Sequence, residues 1–267
     1  MPGSLAAYGK LAVMRLRANY SYPLTAVGGL LTVLLQIFLL KAVWTAVYAG
    51  RASVDGVELT ALVTFVTLAN LQLLAMRPML VWYLERRIHE GQIGVDLVRP
   101  VPFLGQLLAQ QVGATIGLLP FVIVAVPFAL VLGNLALPAS PAAVGWYAIS
   151  VVLAYAIAML IGLLMGLVAF WTVQTLGVAV IYNFAVQFLG GALIPLYFFP
   201  DTLRAVAELL PFQAQVFIPI SIYTGAIAEP VAIARAFGLQ LLWVGLLALL
   251  AWAVWRRARR VVVVYGG

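Results

Sequence analysis

Long apolar runs separated by short polar stretches set the pattern of this chain. A helix needs about 20 mostly apolar residues to cross roughly 30 Å of hydrocarbon. Six segments meet that length: Leu24–Tyr48, Glu58–Leu84, Phe103–Leu132, Ala142–Phe170, Thr172–Leu196 and Val231–Trp255. The third contains Pro120, which predicts a kink or a strong tilt. The first run is too long for a cleaved signal sequence and reads as a retained span. Ahead of it, Leu5, Tyr8, Ala12 and Leu16 alternate with Lys10, Arg15 and Arg17. That pattern predicts an amphipathic helix within residues 1–22, lying on the cytoplasmic surface.

Two polar stretches are large enough to have work of their own. One is the connection 84–102 between the second and third spans. The other is the outer region 197–230, punctuated by Pro200, Pro211, Pro219 and Pro230. Within it, Leu203, Val206, Ala207 and Leu210 recur at helical spacing, with Asp201 as the expected cap and Arg204 and Glu208 on the opposite face. Phe212 to Ile222 is apolar but too short to cross and is broken by Pro219. It reads as a re-entrant leg whose backbone must be covered by protein. The predicted fold class is all-α: one polytopic transmembrane domain over residues 1–267 with six crossing helices.

Composition agrees with lipid as the solvent. Of 267 residues, 65% are hydrophobic and 9% are charged, whereas a soluble surface demands about 25% charged residues. The net charge is +7, and its placement explains it. Lys10, Arg15, Arg17, Arg77, Arg86, Arg87, Arg99, Arg256, Arg257, Arg259 and Arg260 fall on one side of a six-span arrangement, and only Lys41, Arg51, Arg204 and Arg235 on the other. Positive loops stay cytoplasmic, so both termini are expected there, in a bacterial inner membrane. The charge is a topology signal, with no nucleic-acid partner implied.

Several chemistries lack their parts. No lysine stands in a Gly-Lys-Ser/Thr phosphate loop, since Leu11 and Ala42 follow the two lysines. There is no cysteine, and the single histidine, His89, falls in a loop, so metal sites are not expected. The acidic residues fall almost entirely in loops, which leaves no visible proton relay. Polar residues within spans remain: Asn70, Gln72 and Arg77 in the second, and Gln174, Asn183 and Gln187 in the fifth. They suit either a pathway lining or interhelical hydrogen bonding. Gly113 and Gly117, and Gly162 and Gly166, have the spacing of close helix packing.

Two local patterns add function. The stretch from Glu90 through Gly91, Gln92, Ile93, Gly94, Val95, Asp96, Leu97 and Val98 to Arg99-Pro100 resembles the cytoplasmic turn of type-2 ABC exporter permeases. Gly190-Gly191-Ala192-Leu193-Ile194-Pro195, continued to Pro200 and to Leu210-Pro211-Phe212, resembles that family's outer signature. The resemblance implies a permease without enzymatic activity or bound cofactor, coupled to separate ATP-binding subunits that hold ATP and Mg. It implies a second permease as partner, identical or different; the aromatic run Phe170-Trp171-Thr172 is similar to subtypes that form heterodimers. The coupling residues it implies are Glu90, Gly91, Gln92, Ile93, Asp96, Leu97, Arg99 and Pro100, with Ile93 and Leu97 presented on one face. Spans two and five are implied as the path, which nominates Asn70, Gln72, Arg77, Asn183, Phe184, Gln187 and Phe188 for an amphipathic or hydrophobic substrate. An ion-coupled secondary transporter and a non-transporting membrane scaffold remain the alternatives.

Overall fold

The computed structural model describes residues 2–19, 23–54, 56–131, 133–172 and 174–265. Tyr20 and Leu132, at the ends of two expected elements, lie outside them. The α-helices among the described residues are α1 (Pro2–Asn19), α2 (Pro23–Tyr48), α3 (Leu59–Ala75), α4 (Leu80–His89), α5 (Ile93–Val98), α6 (Phe103–Val131), α7 (Pro141–Val168), α8 (Leu176–Phe188), α9 (Asp201–Leu209), α10 (Pro211–Gln215), α11 (Phe217–Tyr223) and α12 (Pro230–Tyr265). A small antiparallel hairpin, β1 (Ser53–Val54) and β2 (Val57–Glu58), follows α2 with Ser53 opposite Glu58. The molecule is an all-α polytopic membrane protein.

Five stretches of helix are long and apolar enough to cross a bilayer: Val27–Tyr48, Leu59–His89, Phe103–Val131, Pro141–Val168 and Pro230–Val261. Of the expected fifth span, Thr172–Leu196, only Leu176–Phe188 forms one continuous helix. Its helix, α8, has 13 residues and rises only about 20 Å. Gly190-Gly191 ends the helical path: Gly191 has φ +83°, and a Cβ on Gly190 would lie 2.2 Å from the Val186 carbonyl oxygen. Pro195 then prevents resumption. The second span is also divided, because Arg77-Pro78 separates α3 from α4. By contrast, α6 runs unbroken through Pro120 and Pro127.

The α1 helix packs against α6. Its half-buried positions Ala7, Tyr8, Leu11, Ala12, Arg15 and Leu16 recur every three to four residues and pack on α6. A Cβ on Gly113 would meet the Ala12 carbonyl oxygen at 2.2 Å, and one on Gly105 would meet the Tyr8 hydroxyl at 2.5 Å. Gly113 thus admits a backbone, which no larger residue allows. The glycines of α7 work similarly: a Cβ on Gly162 would meet Pro78 at 2.8 Å, and one on Gly166 would meet Leu84 at 2.8 Å.

Two apolar clusters hold the parts that matter for function. One gathers Phe65, Val66 and Ala69 of α3, Tyr182 and Val186 of α8, and Val216, Phe217 and Ile220 beside α10 and α11. The other joins Leu80 and Leu84 of α4, Ile93 of α5, Phe103 and Leu107 of α6, and Leu163 and Leu167 of α7. Trp255 of α12 stacks on Phe103, ring centroids 4.6 Å apart. This contact brings Arg256, Arg257, Arg259 and Arg260 to the same end of the bundle as Arg86, Arg87 and Arg99.

Candidate functional site

The Arg-rich end carries the short helix α5. Gly91, at φ +65°, makes the left-handed turn between α4 and α5. The Gly91 and Gln92 amides donate to the Ile88 and Arg87 carbonyls at 3.0 and 2.9 Å. Glu90, Gly91 and Gln92 are therefore the turn itself. Arg99 leaves α5 in an extended conformation, as the residue before Pro100 must.

One carboxylate fixes this helix. Asp96, 2% exposed, accepts from Arg87 Nη2 at 2.6 Å and Nε at 2.8 Å, a two-pronged geometry that arginine alone provides. Arg99 Nη1 lies 3.1 Å from the same carboxylate. Gln106 of α6 donates to the Asp96 carbonyl at 2.8 Å and accepts from Arg99 at 3.3 Å. Gln92 accepts from Arg87 as well. Arg15 of α1 stands near Arg86; burial pushes its pKa below the ordinary arginine range, Tyr83 opposes that shift and Arg86 adds to it.

The expectation that Ile93 and Leu97 share an outward face is corrected. Ile93 is buried in the cluster with Leu80 and Phe103, so it anchors the helix. The outward residues are Val98, 85% exposed, Val95, 64% exposed, and Leu97 at the margin. In six residues of helix, Asp96 and Ile93 point in and the valines point out.

Behind this end lies the interruption at Met76–Met79. Pro78 has no N–H, which removes the bond to the carbonyl four residues earlier. Gln111 of α6 closes the gap: its Nε2 donates to the Arg77 carbonyl at 2.8 Å, and its Oε1 accepts from Leu80 N–H at 3.2 Å. Thr115 and the Tyr155 hydroxyl extend this network, with Tyr155 donating to Thr115 at 3.0 Å.

Beside the interruption is a cavity of about 100 Å³ between α2, α3 and α8. Asn70, Arg77, Asn183 and Gln187 line it, together with Gln36, Tyr182 and several apolar groups. Gln36 donates to Gln187 at 3.3 Å, tying α2 to α8. Asn70 and Asn183 each donate to the carbonyl one turn earlier in their own helix, at 2.7 and 2.8 Å, leaving each amide carbonyl as an acceptor. This is smaller than the roughly 300–1,000 Å³ of a ligand pocket.

Three nominated path residues lie elsewhere. Gln72 is buried away from the cavity, where its Nε2 donates to the Gln215 carbonyl. Phe184 is exposed on the outer side of α8 and stacks on Phe188 at 5.8 Å. Phe188 in turn meets Phe199 at 5.1 Å.

The Gln72 bond belongs to a second clasp that sequence reading missed. Pro219 cannot donate to Gln215, and Val216 has non-helical backbone, so the Gln215 and Ala214 carbonyls are left free between α10 and α11. Gln72 of α3 takes the first, and Gln240 of α12 takes the second at 2.8 Å. Tyr182 donates to the Gln215 side chain at 2.8 Å, and Ser150 of α7 donates to Gln240 at 3.0 Å. The signal available was glutamine inside apolar helices facing proline-broken helix elsewhere. On α9, Arg204 and Glu208 pair at 2.7 Å, but Asp201 makes no capping bond and Val206 is exposed. Among the described residues no cluster of His, Cys, Asp and Glu could hold a metal ion.

Neither a curated protein nor a solved structure matches this chain. Residues 30–265, from α2 to the last turn of α12, match the family model described as ABC-2 family transporter protein. That match takes in the divided second span, the clamped helix α5 and the cavity together, and it covers most of the chain. The chain therefore belongs to the ABC-2 transporter family and is a multi-pass membrane permease component of an ABC transporter, a class that associates with ABC ATP-binding subunits.

Proposed function

We propose that the chain is an exporter permease whose helix α5 is the coupling helix gripped by separate ATP-binding subunits. Those subunits hold ATP and Mg, and this chain binds no cofactor. The observation carrying the proposal is α5 itself: a helix fixed from behind by Asp96 and Ile93, presenting Val95 and Val98 outward. Exposed valines on a rigidly held turn suit a groove in a protein partner, and the surrounding arginines favour a cytoplasmic position for this end and for both termini in an inner membrane.

In this reading the ATP-binding subunits close on ATP and displace α5. The displacement moves α4 about Met76–Met79, and the cavity between α2, α3 and α8 alternates between inward-open and outward-open. The apolar outer faces of α2 (Leu31, Leu35, Phe38) and α8 (Leu176, Ile181, Phe184) are all exposed, which supports a second permease completing the path. That partner is a copy of this chain or a different permease. The lining of amides, apolar groups, one aromatic and one cation suits an amphipathic or hydrophobic substrate.

The test is assembly. The chain contains no cysteine, so Val98→Cys gives a single thiol for crosslinking to the ATP-binding subunits in membranes. A crosslinked product, absent for Phe184→Cys, supports the coupling role. Equal crosslinking from both positions, or none from Val98→Cys, rejects it.

A further inference from the structure

The end of α4 meets the start of α8 through two side chains that no functional role has yet absorbed. Thr175 is the residue immediately before α8, in the N-cap position. A threonine there ordinarily turns its oxygen onto the helix's own free N–H groups. Here it makes no capping bond; its hydroxyl donates to Glu85 Oε2 of α4, 90 residues away in sequence. Thr175 is fully buried. Glu85 has no ion-pair partner among the described residues, and its carboxylate sits at the positive end of α8's backbone dipole. A negative charge at that end is favourable without any arginine or lysine, so the contact has both a hydrogen bond and a field holding it.

Its place in the fold gives it consequence. α4 and α5 form one piece, joined by the Arg87–Asp96 pair and by Ile93 packing on Leu80 and Leu84. That piece is separated from α3 by the break at Pro78. α8 supplies Tyr182, Asn183, Val186 and Gln187 to the cavity. Among the described residues, Thr175 to Glu85 is the side-chain hydrogen bond joining the two.

We propose that Glu85 and Thr175 are positioning residues that transmit displacement of α4–α5 to α8, so that the cavity wall moves with the coupling helix. This rests on the coupling reading given above. Without the link, α4 and α5 still move when the ATP-binding subunits close, but α8 stays behind.

Spin labels on the otherwise cysteine-free chain separate these cases in the assembled complex, with and without ATP. A Val98→Cys and Ile149→Cys pair reports α5 against α7. An Ile181→Cys and Ile123→Cys pair reports α8 against α6. In the parent protein both distances shift with ATP. Thr175→Val leaves the α5 shift in place and reduces the α8 shift at least twofold, while Thr175→Ser restores it. Glu85→Gln, which keeps an acceptor but loses the charge, gives a partial reduction and serves as a second, near-isosteric variant. An α8 shift of parental size in both Thr175→Val and Glu85→Gln overturns the link while leaving the coupling role intact. An α5 distance that ignores ATP in the parent overturns the coupling role, and the link falls with it.

Discussion

Helical backbone is interrupted beside proline at two places inside the bundle, and the freed backbone groups are handled alike in both. At Met76–Met79, Gln111 reaches from α6 to the Arg77 carbonyl and the Leu80 N–H. Between α10 and α11, Gln72 and Gln240 reach from α3 and α12 to two carbonyls. An unpaired peptide group in an apolar interior is expensive, so a glutamine carrying both donor and acceptor is the economical answer each time. The difference lies in the surroundings. The α10–α11 break is held from α3, α7, α8 and α12, and Gln72, Gln215 and Gln240 are all buried. The α3–α4 break is held directly by Gln111 of α6, with Tyr155 and Gly162 of α7 behind it, borders a cavity and carries the exposed Arg77. The same local rule yields a plug where several helices bind it and, in the proposed function, a pivot beside the cavity.

The largest effect separating the two regions is expected at Asp96. Asp96→Ala strands Arg87, which is 18% exposed, beside apolar groups. Losing one partner of a buried pair costs about 3 kcal/mol. Hydrogen exchange of the α5 amides should accelerate about a hundredfold, while that of α10 and α11 stays as before. Acceleration at both places would mean the two breaks are not mechanically separate.

Next are the clasps themselves. Gln111→Leu and Gln72→Leu each leave buried backbone groups unpaired, at about 1–3 kcal/mol. Thermal denaturation of the purified complex should register both. Only Gln111→Leu should alter ATP turnover of the complex, because only that clasp sits at the pivot. An equal change in turnover from Gln72→Leu would erase the distinction.

A smaller effect tests the cause of the second clasp. Pro219→Ala returns an N–H to the Gln215 carbonyl, so Gln72→Leu should cost about 1 kcal/mol less in that background. An additive double mutant would show that the proline is not what frees the carbonyl. The smallest stability effect belongs to Val98→Asp, within about 0.5 kcal/mol for so exposed a site. Co-purification of the ATP-binding subunits should nonetheless fall sharply.

Much of this architecture was readable from the chain. Twenty-residue apolar runs announce long spans because lipid imposes that length, and Gly91 and Pro100 bracket α5 because backbone geometry requires them. The shortness of α8 was hidden, since Leu189 to Leu196 is apolar throughout and hydropathy does not register a Gly-Gly turn. Which face of α5 points outward was equally hidden. Ile93, Val95, Leu97 and Val98 are all apolar, and Asp96 looks like a surface residue until Arg87 and Arg99 are folded onto it. Glu85 was counted with a loop because the second span was expected to end at Leu84. The glutamine clasps depend on contacts between residues as far apart as Gln72 and Gln215, which no local pattern encodes.

The central claim is that α4 and α5 swing as one piece on the α3–α4 break when ATP binds. The most direct measurement is the distance between labels at Val98→Cys and Ile149→Cys in the assembled complex, taken alongside a pair within α3 and α7. The account predicts a change with ATP in the first distance and none in the second. Both distances unchanged, or both changed together, would contradict it.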